Sequence, residues 1–134
     1  MRLTNLTALA ALSVGLVSCE TVNFGSASRI SSVKTTAYTH TEKDHKKYKV
    51  ASAVGTPLKY GAVRSAAADW SVFPVGTVFK IEGDSHFYEV DDYGSALVGT
   101  NTIDLYKPTK SDMKNWGARH VNIEVVRWGS FSKS

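Results

Sequence analysis

The chain has 134 residues, 43% hydrophobic and 21% charged, which is enough apolar material for one modest core rather than several domains. Its 16 Lys and Arg against 12 Asp and Glu leave a formal charge of +4. That excess is too small and too evenly spread for nucleic acid, and no basic run with interleaved aromatics is visible. A single cysteine excludes an internal disulfide and a thiolate metal centre, so stability has to come from apolar burial and backbone hydrogen bonds.

The chain opens with Arg2 and then an apolar stretch, Leu6 to Val17, of Leu, Ala, Val, Gly, Ser and Thr. Its length suits a signal-peptide core and falls short of the roughly 18–20 residues that span a bilayer. It ends in Leu16-Val17-Ser18-Cys19, which resembles the lipobox of bacterial lipoproteins. Residues 1–18 are thus expected to be a cleaved leader and Cys19 a lipidation point. Glu20 follows where an inner-membrane retention signal usually has Asp, so by analogy the anchor is expected in the outer membrane, facing the periplasm. Residues 20–32 (ETVNFGSASRISS) are small, polar and aperiodic, as a flexible tether would be.

From Val33 onward the pattern is short alternating runs rather than helical spacing. Strands are expected at Val33–Tyr38, in the small-residue run Ala62–Ala68, and at Val78–Glu82, Phe87–Val90, Thr102–Tyr106 and Val121–Val125. Gly and Pro punctuate between them, as in Pro74-Val75-Gly76 and Gly83-Asp84. The polar segment His40–Lys49 is expected on a loop. One short helix is expected, capped by Thr109 or Ser111, with Asp112 in its first turn and Gly117 ending it after Trp116. About six strands and one helix imply an all-β, closed or nearly closed barrel occupying residues 33–134.

Three aspartates stand out by their surroundings. Asp69 precedes the turn Phe73-Pro74-Val75-Gly76-Thr77, and Asp92 ends a strand at Asp92-Tyr93-Gly94. Asp104 lies inside a strand, where Asp is depleted, on the face opposite Ile103 and Leu105. Singly, each has an ordinary structural explanation in satisfying nearby backbone donors. Together with Thr36-Ala37-Tyr38-Thr39, Gly99 and the Ile103-Asp104 pair, their order and spacing resemble the 3D domain, named for its three aspartates. That family includes the catalytic part of membrane-bound lytic transglycosylase A and the stationary-phase survival proteins of Gram-positive bacteria. Two positions depart from its pattern: Trp70 stands where Pro is common, and Ser95 where a second Gly is usual.

The resemblance implies a six-stranded double-psi β-barrel acting on peptidoglycan glycan strands. It implies Asp104 as a single acid/base, Asp92 as the neighbour that raises its proton affinity, and Asp69 in a structural or substrate-orienting role. Tyr38, Thr39 and Thr77 become candidate donors to the glycan, and Tyr93 a platform for a sugar face. No cofactor is expected, and the protein is taken to be a monomer whose contact with the membrane is through the lipid anchor alone. His40, Asp44 and His45 do not have a recognised metal-ligand spacing, so no metal is assigned. A non-catalytic wall-binding or wall-loosening module remains the alternative, because fold alone does not license catalysis.

Overall fold

The computed structural model describes residues 28–42 and 45–130. The expected leader, Cys19 and most of the tether lie outside the described residues. Among those described, no helix is long and apolar enough to cross a membrane.

Six strands form a closed barrel: β1 (Arg29–Tyr38), β2 (Val63–Ala67), β3 (Val78–Ile81), β4 (Phe87–Asp92), β5 (Ile103–Tyr106) and β6 (Arg119–Arg127). Around the barrel the order is β1-β5-β2-β4-β3-β6. Two pairs are parallel, β1 with β5 and β2 with β4, and the other pairs are antiparallel. Exchanging the first three strands for the last three leaves this order unchanged. An up-and-down meander has no parallel pairs, whereas a double-psi barrel has two related in this way.

The strand positions follow the alternation, with one correction at the tether. β1 begins at Arg29, so Arg29–Ser32 belong to the barrel rather than to a flexible linker. Arg29 and Ile30 pair with Glu124 and Ile123, and the register then shifts before Val33. Ser32 absorbs the extra residue with φ +56°, and its N–H donates to the Asn122 side chain at 2.9 Å. The polar, small residues therefore mark a β-bulge, which needs such residues for the same reasons that a linker does.

Inside the barrel, Phe79 and Tyr88 stack with centroids 5.4 Å apart, surrounded by Val90, Ile103, Leu105 and Val125. Each such side chain contributes roughly 1.5–3 kcal/mol by leaving water. The helix α1 (Lys110–Trp116) starts at Thr109, whose hydroxyl accepts the Asp112 N–H at 3.0 Å. Seven residues are too few for a stable isolated helix. Trp116 anchors it instead, donating its indole N–H to Thr35 Oγ1 on β1 at 3.0 Å. Near the C-terminus Gly129 passes so close to residues 75–77 that a Cβ would lie 2.0 Å from the Val75 carbonyl oxygen.

Candidate functional site

Residues 66–68 are three consecutive alanines in and just after β2, and they position the site. Ala66 and Ala68 join the barrel core, while Ala67 belongs to a second cluster with Tyr38, Leu97 and Tyr106. Ala67 pairs with Asp92 of β4 on one side and Asp104 of β5 on the other, and Asp104 pairs in turn with Thr36 of β1. Asp92, Ala67, Asp104 and Thr36 thus form one row across four strands. The methyl group between the two aspartates leaves room that a larger side chain would fill. A register shift between Ala66 and Ala67 sets Asp92, rather than Asp91, opposite Ala67. Bulges often re-aim a side chain in this way beside functional sites.

Asp92 is 4% exposed and well supplied with donors. It accepts hydrogen bonds from the Tyr38 hydroxyl at 2.7 Å, the Ala53 N–H at 2.8 Å and the Tyr93 N–H at 3.0 Å. The His45 ring nitrogen Nδ1 lies 3.9 Å away, close but beyond hydrogen-bond range. Burial, with the Asp92 charge beside it, holds the Tyr38 phenol far above its usual range, so Tyr38 remains a donor.

Asp104 is the contrast in the same row. Among the described residues its carboxylate accepts one hydrogen bond, from Thr36 Oγ1 at 2.9 Å. Burial pushes its carboxyl up to about 6, with the charges of Glu42 and Asp92 adding to the rise and the Thr36 hydroxyl opposing it. A carboxyl of this kind can hold a proton near neutral pH and release it to a basic oxygen.

Asp69 does not join the pair. One oxygen accepts from the Gly99 N–H at 2.8 Å, and the other from the Ser71 N–H and hydroxyl at 2.9 and 2.7 Å. These bonds hold its carboxyl below the usual range, the Gly99 bond contributing most. Gly99 has φ +80°, a conformation that points its N–H at Asp69 and that favours glycine. Asp69 thus ties the turn after β2 to the loop after β4.

The other sequence candidates fall in different places. Thr39 is fully buried, and its hydroxyl has no hydrogen-bond partner among the described residues. Thr77 is also fully buried, and its hydroxyl oxygen accepts from the Gly129 N–H at 3.0 Å. Tyr93 is 45% exposed and meets Trp70 edge-on at 5.3 Å. Trp70, a departure from the family pattern, donates its indole N–H to the Asp92 carbonyl at 2.9 Å.

Several neighbours were missed in the sequence. Residues 39–42 and 45–62 fold over the row, bringing Glu42, His45 and Ala53 to the two carboxylates and packing Leu58 and Tyr60 on the second cluster. His40 reaches the Tyr106 hydroxyl at 2.8 Å, so the expected polar loop covers the site. Asp91, buried at 2% exposure, pairs with Lys59 Nζ at 2.9 Å and Ser65 Oγ at 2.8 Å, fastening that connection to β4. The doublet Asp91-Asp92 is visible in the sequence, but nothing there separates the two roles. Among the described residues no three His, Cys, Asp or Glu side chains gather as metal ligands.

The family model described as "3D domain" matches residues 64–127, the span that contains all three aspartates. The chain carries a 3D domain. Strand β1, with Thr36 and Tyr38, lies outside the matched part and completes the row. In Bacillus subtilis (strain 168), the "Cell wall-binding protein YocH" is 38% identical over 60 residues, covering 45% of this chain and 20% of that protein. The "Putative cell wall shaping protein YabE" of the same organism is 31% identical over 102 residues, covering 75% of this chain and 24% of that protein. The 3D-domain chain therefore spans about a fifth to a quarter of the length of these relatives. Among solved structures, MltA from E. coli is similar at a TM-score of 0.45 and 22% identity, covering 60% of this chain and 28% of that one.

Proposed function

We propose that this 3D domain acts on peptidoglycan outside the cytoplasm as a lytic transglycosylase, with Asp104 as its single acid/base. The observation that carries the reading is the proton affinity of Asp104, raised to about 6 by burial in the same row as Asp92. Glycosidic bond cleavage needs a proton for the leaving oxygen, which an ordinary carboxylate lacks at neutral pH. Asp104 gives its proton to the bridging oxygen, and the C1–O bond breaks with its electron pair going to that oxygen. The C6 hydroxyl of the same sugar then closes onto C1 and returns its proton to Asp104. The product is a 1,6-anhydro sugar, and no water is consumed.

Asp92 fits the part of the fixed neighbour, since its oxygens are already occupied by Tyr38, Ala53 and Tyr93. Asp69 positions the surrounding turn rather than touching the sugar. The cell-wall names of the two Bacillus relatives support the substrate class. Lipidation of Cys19 would hold the barrel beside the wall, at most about 30 Å from the membrane along an extended tether of residues 20–28. Intact-mass measurement on membrane-extracted protein tests it, because Cys19→Ser should lose the diacylglycerol mass.

The enzymatic test is digestion of purified sacculi followed by mass spectrometry of the soluble products. Wild type should release anhydro-muropeptides, and Asp104→Asn none. Absence of these products from wild type sinks the catalytic reading. A non-catalytic wall binder is the second reading, favoured by the near-complete cover over Asp92. It predicts that the protein pellets with sacculi and leaves their masses unchanged.

A further inference from the structure

Three cations and two aromatic rings, from two sequence-local pairs (Tyr60 with Arg64, Trp116 with Arg119) joined by Lys107, meet at one end of the covered row. The Arg64 guanidinium lies 3.9 Å from the Tyr60 ring centroid. Lys107 Nζ lies 5.6 Å from Tyr60 and 4.8 Å from the Trp116 ring, and the Arg119 guanidinium lies 4.0 Å from Trp116. The contacts therefore run Arg64, Tyr60, Lys107, Trp116, Arg119, drawing on the covering connection, β2, the end of β5, α1 and β6.

None of the three cations has a carboxylate within ion-pair distance among the described residues. Arg64 donates to the Gly61 carbonyl at 3.2 Å and meets His86 Nε2 at 2.9 Å. Arg119 donates to the Trp116 and Asn115 carbonyls, each at 3.0 Å. Each guanidinium has five N–H donors, so both keep donors to spare. Lys107 is only 7% exposed, and its ammonium has no hydrogen-bond partner among the described residues. Burial lowers its proton affinity, the Arg64 and Arg119 charges add to this, and the Asp84 and Asp112 charges offset it only in part. Asp84 is already engaged by Tyr88 and His86.

Rings hold such cations in place without neutralising them, because a ring face carries a quadrupole and no net charge. The arrangement is a preorganised positive site with no carboxylate of its own among the described residues. The Tyr106 ring, 6.2 Å from Tyr60 and 5.7 Å from Tyr38, separates it from the Tyr38–Asp92 bond. A glycan strand lying on Asp104 carries peptide stems alongside it, and their carboxylates are the anions nearest the reacting bond. We propose that Arg64, Lys107 and Arg119 form a subsite for the free carboxylates of peptidoglycan peptide stems. This rests on the reading that the domain acts on peptidoglycan, though not on its being an enzyme.

The test uses the full chain carrying Asp104→Asn, so that strands are not consumed. Its binding is compared on intact sacculi, on sacculi whose carboxyls have been amidated with carbodiimide and ammonia, and on strands stripped of stems by an amidase. Binding to intact sacculi should be at least about fivefold tighter than to the other two, as loss of a charge-assisted contact predicts. Arg119→Gln should erase most of that preference with an unchanged melting temperature, and a glycerol-phosphate polymer should not compete. Equal binding to all three preparations overturns the proposal, with no need for a mutant that folds. Competition by the phosphodiester polymer also overturns it, in favour of a different anion. Failure to bind any preparation removes the peptidoglycan reading as well. A carboxylate preference in a protein whose wild type releases no anhydro products leaves this subsite standing and removes only catalysis.

Discussion

Asp69 and Asp104 are the same residue type in the same small barrel, and their surroundings drive their proton affinities in opposite directions. Asp69 sits where a turn and a glycine loop converge, and three donors on Ser71 and Gly99 hold it below the usual range. Asp104 sits within a strand, where neighbouring backbone groups are committed to the ladder and, among the described residues, only the Thr36 hydroxyl donates to it. Burial then dominates, and its carboxyl rises to about 6. Turns bring loose N–H groups to a carboxylate, whereas strands bring side chains and exclude water. The first setting makes a structural anchor, and the second makes a group able to carry a proton.

The contrast can be tested through stability against pH, starting with Asp104. Its folded form binds a proton more tightly than the unfolded chain does, from 3.8 to about 6. Its contribution is therefore full below about pH 4 and is lost as pH rises through about 6. Asp104→Asn removes that loss, so urea unfolding at pH 8 should show a gain of up to about 3 kcal/mol over wild type, vanishing near pH 3. An equal effect at both pH values would mean that the carboxyl is not perturbed in the fold.

Ala67→Leu comes next, because it fills the space between the two carboxylates of the row. Overpacking should cost about 1–3 kcal/mol. Release of soluble wall fragments should fall by at least about tenfold, as misplacement at a reacting centre implies. Stability lost with activity retained would move the reacting centre away from Ala67.

Asp69→Asn has the opposite sign from Asp104→Asn. Asp69 stabilises the fold above its unfolded value and loses that effect as pH falls through its lower folded value. The variant should melt earlier than wild type at pH 7, and the two curves should converge in strong acid. Its wall-cleaving products should keep the wild-type masses. The smallest effect belongs to Thr36→Val, which removes the one hydrogen bond that lowers Asp104. An Asp104 acting as acid gives activity that declines as pH rises past about 6. Thr36→Val should move that decline slightly upward, and an unmoved profile would detach it from Asp104.

Much of the fold was legible in the chain, because alternation and turn residues are local signals. The strand Ile103–Tyr106 and the helix from the Thr109 cap to Gly117 lie where spacing and capping put them. The start of β1 was not legible, since a bulge at Ser31-Ser32 and a linker use the same small polar residues. Thr77 matched a motif but points its hydroxyl at Gly129, a contact 52 residues away that no local pattern announces.

The sequence by itself singled out three aspartates, a barrel-forming rhythm of strands, and a domain without disulfides, because residue type, order and period are carried along one dimension. Only the tertiary structure decided that Ala67 spaces Asp92 from Asp104, that Asp69 stands apart, and that residues 39–42 and 45–62 cover the row. It also brought Tyr60, Arg64, Lys107, Trp116 and Arg119 together, a basic and aromatic interleaving absent from any run of the chain. The physical reason is that proton affinity and anion binding depend on burial and on neighbours across strands. Barrel closure fixes both through pairings such as Thr36 with Asp104, 68 residues apart in the sequence.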